Sequence, residues 1–292
     1  MGKAPHRDRL DIPVVGGLAL IHVLALCAVV PAWFTWSGFF WFLALFYVTG
    51  TGITLCYHRL LTHGSFKTYA WFRYLLVVIA TIAWEGRPIL WVGRHRVHHG
   101  HSDQDGDPHS PRHGITWAHV TWVCWKNPEG DAEALATVKG DLLQDRGLLF
   151  IDKFFWVAQV LLGIALFIGG TLAESTTTGW SWVVWGVGVR TMVVYHVTWS
   201  INSFTHMFGY RNFETDDNSR NNWLFGLVGY GEGWHNNHHG EPKSAAHGRR
   251  WYEIDLTYII ILLFEKTGLV WDVARPKKSL PEKPLPRTPS KF

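Results

Sequence analysis

The stretch "GFFWFLALFYVTGTGITLCYHRLLTH", residues 38–63, begins as an uncharged apolar run and ends in two histidines and an arginine. A helix needs about 20 apolar residues to cross a bilayer. The run therefore reads as a membrane span that delivers His58 and His63 to one membrane face. Working outward, residues 12–34 form a second uncharged run of spanning length, and residues 150–172 and 180–201 form two more. Short turns join the first pair and the last pair, so the chain reads as two membrane hairpins, with spans at about 12–34, 38–60, 150–172 and 180–201.

Composition agrees. Only 17% of residues are charged, against about 25% in soluble domains. The formal charge of +4 is mild and no basic stripe interleaves with aromatics, so nucleic-acid binding is excluded. Cys27, Cys56 and Cys124 lie far apart and build no disulfide framework. The turns at 31–38 and 171–179 carry no Lys or Arg. By the positive-inside rule both termini and the histidine-rich segments face the cytoplasm. Trp33, Trp36, Trp41, Trp180 and Trp182 then form an aromatic belt at the outer turns. The apolar segment at 69–84 is shorter and carries Arg73; it reads as an interfacial or membrane-dipping helix. Residues 1–275 form a single domain on this reading. The tail, 276–292, is rich in proline and basic residues and is expected to be a disordered arm near anionic headgroups.

Three histidine groups carry the chemistry. "HRVHH" holds His95, His98 and His99, and "GEGWHNNHH" holds His235, His238 and His239. Positions i, i+3 and i+4 share a helix face, so each trio is expected to converge on one point. His58 and His63 lie about 140° apart on a regular helix, so the second must sit where the helix ends or bends. "NSFTH" adds Asn202 and His206 at i, i+4. Nine histidines exceed the four ligands of a structural zinc site and imply two metals with positions left for exogenous ligands. Glu232–His235 is the single Glu-x-x-His spacing among the clusters, so the carboxylate-rich plan of soluble di-iron bundles is not met. Glu232 is expected to orient an imidazole instead.

With these boxes assembled, the chain resembles the membrane fatty-acid desaturases, in particular the delta-9, stearoyl-type branch and its bacterial members. The matching stretches are "GITLCYHRLLTH", "WVGRHRVHHGHSDQDGDPHS", "VVYHVTWSINSFTHMFGYRNFE", "GEGWHNNHH" and "WYEIDLT". The resemblance implies an all-α membrane protein: four transmembrane helices as a stem, a cytosolic helical cap, and a histidine-ligated di-iron centre between them. It implies metal ligation by His58, His63, His95, His98, His99, His206, His235, His238 and His239, with Asn202 acting through a water. It further implies a bent acyl tunnel, with Trp91, Thr198 and Trp199 at the bend. Asp107 and Glu232 are expected behind the ligands. The chain departs from animal acyl-CoA desaturases at Gly93 and Arg94, and "EGRP" replaces an amide-rich stretch. The acyl carrier is therefore open among CoA, carrier protein and membrane lipid.

The implied reaction is O2-dependent insertion of a cis double bond into a long saturated acyl chain, with two Fe ions as cofactor and O2 as co-substrate. Zinc competes well for imidazole, so recombinant material can carry zinc instead. The chain has no HPGG haem stretch and too few cysteines for an iron–sulfur cluster. A ferredoxin or a small b-type cytochrome is the expected electron donor, docking on the basic cytoplasmic face. A di-iron membrane hydroxylase is the nearest alternative activity. A divalent-metal transporter is a remote one, because the first two spans hold little beyond His22 and scattered Thr and Ser. The expected location is multi-pass in a bacterial inner membrane. Four-residue steps back from His58 reach Thr54, Gly50 and Phe46. On this reading Gly50 leaves space for the acyl tail and Phe46 closes the tunnel.

Overall fold

The computed structural model describes residues 9–285 and is mostly helical. Helix α1, Ile12–Leu26, starts where the Asp11 carboxylate accepts from the Val14 amide. Of its residues only Ile21 and Ala25 are buried. Helix α2, Trp36–Gly52, is capped by the Thr35 hydroxyl, which accepts from the Gly38 amide at 3.0 Å. It continues without a break as a π-helix over Ile53–Thr62. Among the described residues, Ile12–Val29 and Trp36–Thr62 are long and apolar enough to cross a membrane.

Between the second and third expected spans lie α3 (Ala70–Thr81), α4 (Pro88–His101), α5 (Ile115–His119) and α6 (Pro128–Thr137). Helix α3 buries Phe72, Leu76, Val77 and Ala80 against α2 and exposes Trp71, Leu75 and Val78 on the other side. Helices α4 and α6 approach closely at Gly93, where a Cβ would lie 2.4 Å from the Ala134 carbonyl oxygen. Gly93 is thus what lets α6 lie on the histidine-bearing helix. Arg94 pairs with Asp131 of α6 at 2.7 Å.

Helices α7 (Arg146–Lys153) and α8 (Val157–Ala173) are bent 56° apart, and count as a third span if taken together. Asp145 caps α7 and also pairs with Arg73, and the buried Asp152 accepts from the Ile89 amide at the start of α4. Helix α9 (Thr176–Val183), a π-helical turn (Val184–Val189) and α10 (Arg190–Ser203) follow as one continuous helix. It carries Arg190, His196 and little of the apolar character of the first two spans. The chain closes with α11 (Trp223–Val228), α12 (His235–Gly240) and α13 (Leu256–Lys266), and the two-residue strands Lys67–Thr68 and Val270–Trp271 pair antiparallel.

The start of the tail lies against the end of α12 and neighbouring loops. The Lys277 amide donates to Glu241 at 2.8 Å, Arg250 donates to the Pro281 carbonyl, and Leu285 bridges to Arg211. Residues 286–292 of the expected disordered arm lie outside the described residues, as do residues 1–8.

Arg190 is fully buried. Its guanidinium donates to the carbonyls of Gly186 (3.0 Å) and Ile82 (2.7 Å) and to Gln159 Oε1 (2.7 Å). One side chain therefore ties α3, α8 and the α9–α10 helix together. Arg190→Leu leaves these buried acceptors unpaired and is expected to cost at least about 2 kcal/mol. Arg190→Lys should recover only part, since an ammonium lacks the planar fork. Unfolding of the detergent-solubilised variants measures both.

Candidate metal centre and acyl cavity

The π-helical segment solves the spacing of His58 and His63. In a π-helix the hydrogen bond reaches i+5, and the His63 amide donates to the His58 carbonyl at 3.2 Å. The two residues therefore stack along the axis, and their rings lie 4.8 Å apart. Helix α4 supplies His95, His98 and His99, the turn after α10 supplies His206, and α12 supplies His235, His238 and His239.

The trios do not converge on one point, as the i, i+3, i+4 reading expected. Each is shared between two groups. His58, His63, His95, His99 and His238 bring ligand atoms within 4.8 Å of one another, and His98, His206, His235 and His239 do the same. On both helices the i, i+4 pair serves one group, and the residue beside it, turned about 100° around the axis, serves the other.

Within the groups the Nε2 atoms almost touch. His58 and His238 stand 3.1 Å apart, His95 and His99 3.1 Å, His99 and His238 2.9 Å, His206 and His235 3.0 Å, and His235 and His239 3.1 Å. Two nitrogens at right angles about an ion, each about 2.1 Å from it, are about 3.0 Å apart. The Nε2 atoms of His63 and His98 are buried without a partner among the described residues. On the other side of the rings, carboxylates take the Nδ1 protons. Glu232 accepts from His58 at 2.5 Å, Asp107 from His98 at 3.0 Å, Asp103 from His206 at 2.9 Å and Asp217 from His239 at 2.5 Å. A carboxylate at Nδ1 fixes the tautomer and turns the Nε2 lone pair inward. The donor set fits metal ions.

Charge follows the same plan. Burial, then neighbouring imidazoles, push His95, His99, His235 and His238 well below the usual histidine range, so they are neutral donors. Burial would raise the Asp107 carboxyl, but His98 and His109 outweigh it and hold it low. Burial would lower His206, but Asp103 lifts it to about 9. Asp103 itself sits at φ 58°, a left-handed conformation that Asp tolerates better than most residues.

Glu232 and Asp107 thus stand at the Nδ1 of His58 and His98, and Asp103 and Asp217 stand likewise at His206 and His239 with no sequence signal of their own. Asp103 lies in the same "SDQDGDPH" stretch as Asp107, but no spacing rule separates a bracing carboxylate there from a loop one. His109 packs on His98 at 4.3 Å, and His101 faces Glu133 at 3.4 Å.

A cavity of about 650 Å³ reaches both groups; its lining includes His58, His95, His235 and Asn202. Trp91, Thr198 and Trp199 line it, and so do the first turns of α1 and Trp156 at the α7–α8 bend. Gly50 and Thr54 line it too, but Phe46 does not. The expectation that Gly50 leaves room is corrected. The Tyr230 ring fills that room, since a Cβ on Gly50 would lie 2.2 Å from it, and the Tyr230 hydroxyl donates to the Phe46 carbonyl at 2.8 Å. Phe46 packs behind Tyr230, ring to ring at 5.2 Å.

The sequence model of the fatty acid desaturase family matches residues 31–272. The chain belongs to the fatty acid desaturase family. It is therefore an oxidoreductase of a membrane-bound, metal-using family. It is 44% identical over 254 residues to the sn-1 stearoyl-lipid 9-desaturase of Anabaena variabilis, covering 87% of this chain and 90% of the relative. Identity to the sn-1 stearoyl-lipid 9-desaturase of Synechocystis is 40%, over 89% of this chain and 79% of the relative. Identity to the acyl-CoA 5-desaturase AL21 of Anemone leveillei is 38%, over 93% and 81%.

One further residue of this desaturase stands out in the cavity. Glu85, the acid of "EGRP", accepts from Thr198 Oγ1 at 2.7 Å and from Trp91 Nε1 at 3.1 Å. Its signal was a lone acid closing an apolar run. Burial raises its carboxyl and the two hydrogen bonds offset this only in part, leaving it at about 7. Below that pH the cavity holds a neutral acid; above it, a charge beside the acyl chain. Folded-state stability from Glu85 is correspondingly full below the ordinary glutamate range and lost as pH rises through about 7. Turnover is expected to decline as pH rises past 7, and Glu85→Gln, which retains a carbonyl acceptor, should flatten the profile between about pH 6 and 8. A profile unchanged in Glu85→Gln would refute the assignment.

Proposed function

We propose that this desaturase introduces a cis double bond at the delta-9 position of a long saturated acyl chain carried on a membrane lipid. The observation that carries the reading is one cavity that joins an aromatic bend to both histidine groups. The delta-9 position and the lipid carrier are supported by the names of the two cyanobacterial relatives. The carrier is also supported by the part that α1 and Trp156, at the ends of apolar helices, take in the cavity lining.

On this reading His58, His63, His95, His99 and His238 hold one iron ion, and His98, His206, His235 and His239 hold the other, with Asn202 reaching it through water. Bound iron supplies redox chemistry: O2 and two external electrons, with two protons and one hydrogen from each of two adjacent methylenes, yield two waters and the alkene. A ferredoxin or small b-type cytochrome supplies those electrons.

The chain's own residues do the rest. Glu232, Asp103, Asp107 and Asp217 hold the imidazoles in their ligating tautomers. Trp91 is fixed between Glu85 and the face of His95, with rings 5.1 Å apart. Trp91 and Thr198 hold the chain in its bend, so that two chosen methylenes face the centre, and the apolar lining keeps bulk water out. Tyr230 closes the far end. Four spans, with both termini and the histidine groups on the cytoplasmic side of an inner membrane, complete the reading.

Gas chromatography of total fatty acids from a desaturase-deficient host carrying this chain tests it. A new 9-monoene with no hydroxylated product is expected, enriched at one glycerol position of intact lipids. His206→Ala should abolish it and lower the metal content, whereas His101→Ala should not. If His101→Ala abolished product and His206→Ala did not, the ligand assignment would fall. Each methylene accommodated in an apolar site is worth about 0.8 kcal/mol. Tyr230→Ala should therefore raise the preference for a chain two carbons longer by about tenfold, with the double bond still at carbon 9.

A further inference from the structure

His247 is a tenth histidine at the centre, outside both ligand groups. It lies in the loop between α12 and α13, wholly buried, with its amide donating to Asp255 Oδ2 at 2.7 Å. Its Nδ1 lies 3.2 Å from Arg59 Nη2 and 3.3 Å from Glu232 Oε2, the oxygen that also accepts from His58 Nδ1 at 2.5 Å. On the other side of the same carboxylate stands Arg59, fully buried, whose Nε and Nη2 donate to Glu232 Oε1 at 3.2 and 2.9 Å. Glu232 is thus gripped at one oxygen by Arg59 and shared at the other between His58 and His247.

The ring of His247 has a second neighbour. It packs on His238 with centroids 4.4 Å apart and planes 35° from parallel. The Nδ1 of His238 is buried with no hydrogen-bond partner among the described residues. His58, His98, His206 and His239 each have a carboxylate at that nitrogen to set their orientation. For His238 that constraint comes from the packed face of His247.

We propose that His247 is a positioning residue for the five-histidine group, bracing His58 through Glu232 and His238 through ring packing. This rests on the reading of two ions held by nine histidines. Loss of an outer contact of this kind costs about ten- to a hundredfold in metal affinity, and His247 contacts the surroundings of two ligands in one group and none in the other. Removing it should weaken one ion and spare its neighbour.

The test uses the full-length, detergent-purified chain, with Co(II) as the probe ion. Elemental analysis gives the ions per chain, and competition with a chelator, followed by the visible absorption of bound cobalt, gives two affinities. Two ions are expected for the unaltered chain. In His247→Ala one affinity should fall ten- to a hundredfold while the other stays within about twofold. His247→Phe keeps a ring against His238 and loses Nδ1, so it should fall between; it also carries the test if the alanine variant fails to fold. Both affinities falling together, or neither falling in a folded variant, would overturn the proposal, because a residue that merely supports the fold has no preference between sites. A stoichiometry other than two in the unaltered chain would overturn the two-ion reading itself and this proposal with it.

Discussion

Buried imidazole nitrogens that face one another at about 3 Å are the constraint on which the rest of this molecule depends. A neutral imidazole has one proton for two nitrogens. Where carboxylates hold the Nδ1 protons of His58, His98, His206 and His239, the inward nitrogens present lone pairs, and each lone pair needs a proton from a facing imidazole or a cation beside it. The carboxylates raise a second difficulty, because a buried charge is costly unless paired. Asp103, Asp107, Asp217, Glu232 and Asp255 each touch one of the nine histidines or Arg59, and Arg59 pairs with Glu232 and Asp255. Cations held by the two histidine groups would offset such charge. The same attraction of carboxylates for positive charge lifts His206 against its burial.

Local backbone choices answer to this requirement. A regular helix would aim His58 and His63 apart, so the second stem helix widens into a π-helix where they lie. Asp103 reaches His206 from a left-handed conformation, and Trp84 and Tyr230, both on the cavity wall, adopt φ 60°. Such conformations cost about 1–3 kcal/mol each and persist where surrounding packing fixes them. Three of the four non-glycine residues with positive φ among the described residues thus lie at the centre or its cavity; the fourth, Asp272, follows the short strand Val270–Trp271.

Much of this was legible in the sequence. Apolar length disclosed the first two helices, and the i, i+3, i+4 spacing disclosed the helical histidines because a regular helix projects side chains predictably. What stayed hidden depends on contacts between distant segments. His247 looks like any loop histidine until Glu232 and His238 are brought to it. Asp217 is one of two adjacent acids, and nothing local says which meets His239. Gly50 reads as free space because the residue that fills it, Tyr230, is 180 positions away. The division of each trio between two groups also escaped, since a shared helix face does not say how many points that face serves.

The stem decides what kind of enzyme the centre can be. Arg190, Gln159 and Thr191 form a hydrogen-bonded set inside the helices, with Gln159 Nε2 donating to Thr191 at 3.1 Å, and Arg190 extends it to α3. Polar braces between apolar helices hold one packing in place, because any slippage leaves buried donors and acceptors unmatched. The loop after α3 carries Glu85, and α10 carries Thr198, so the brace also fixes the two sides of the proposed bend relative to each other. On the proposed reading the end of the cavity is set independently, by Tyr230 against Gly50. Bend and floor therefore rest on different contacts. Double-bond position and chain-length preference can accordingly change separately within one scaffold, the first through residues that meet Glu85 and the second through the ring beside Gly50.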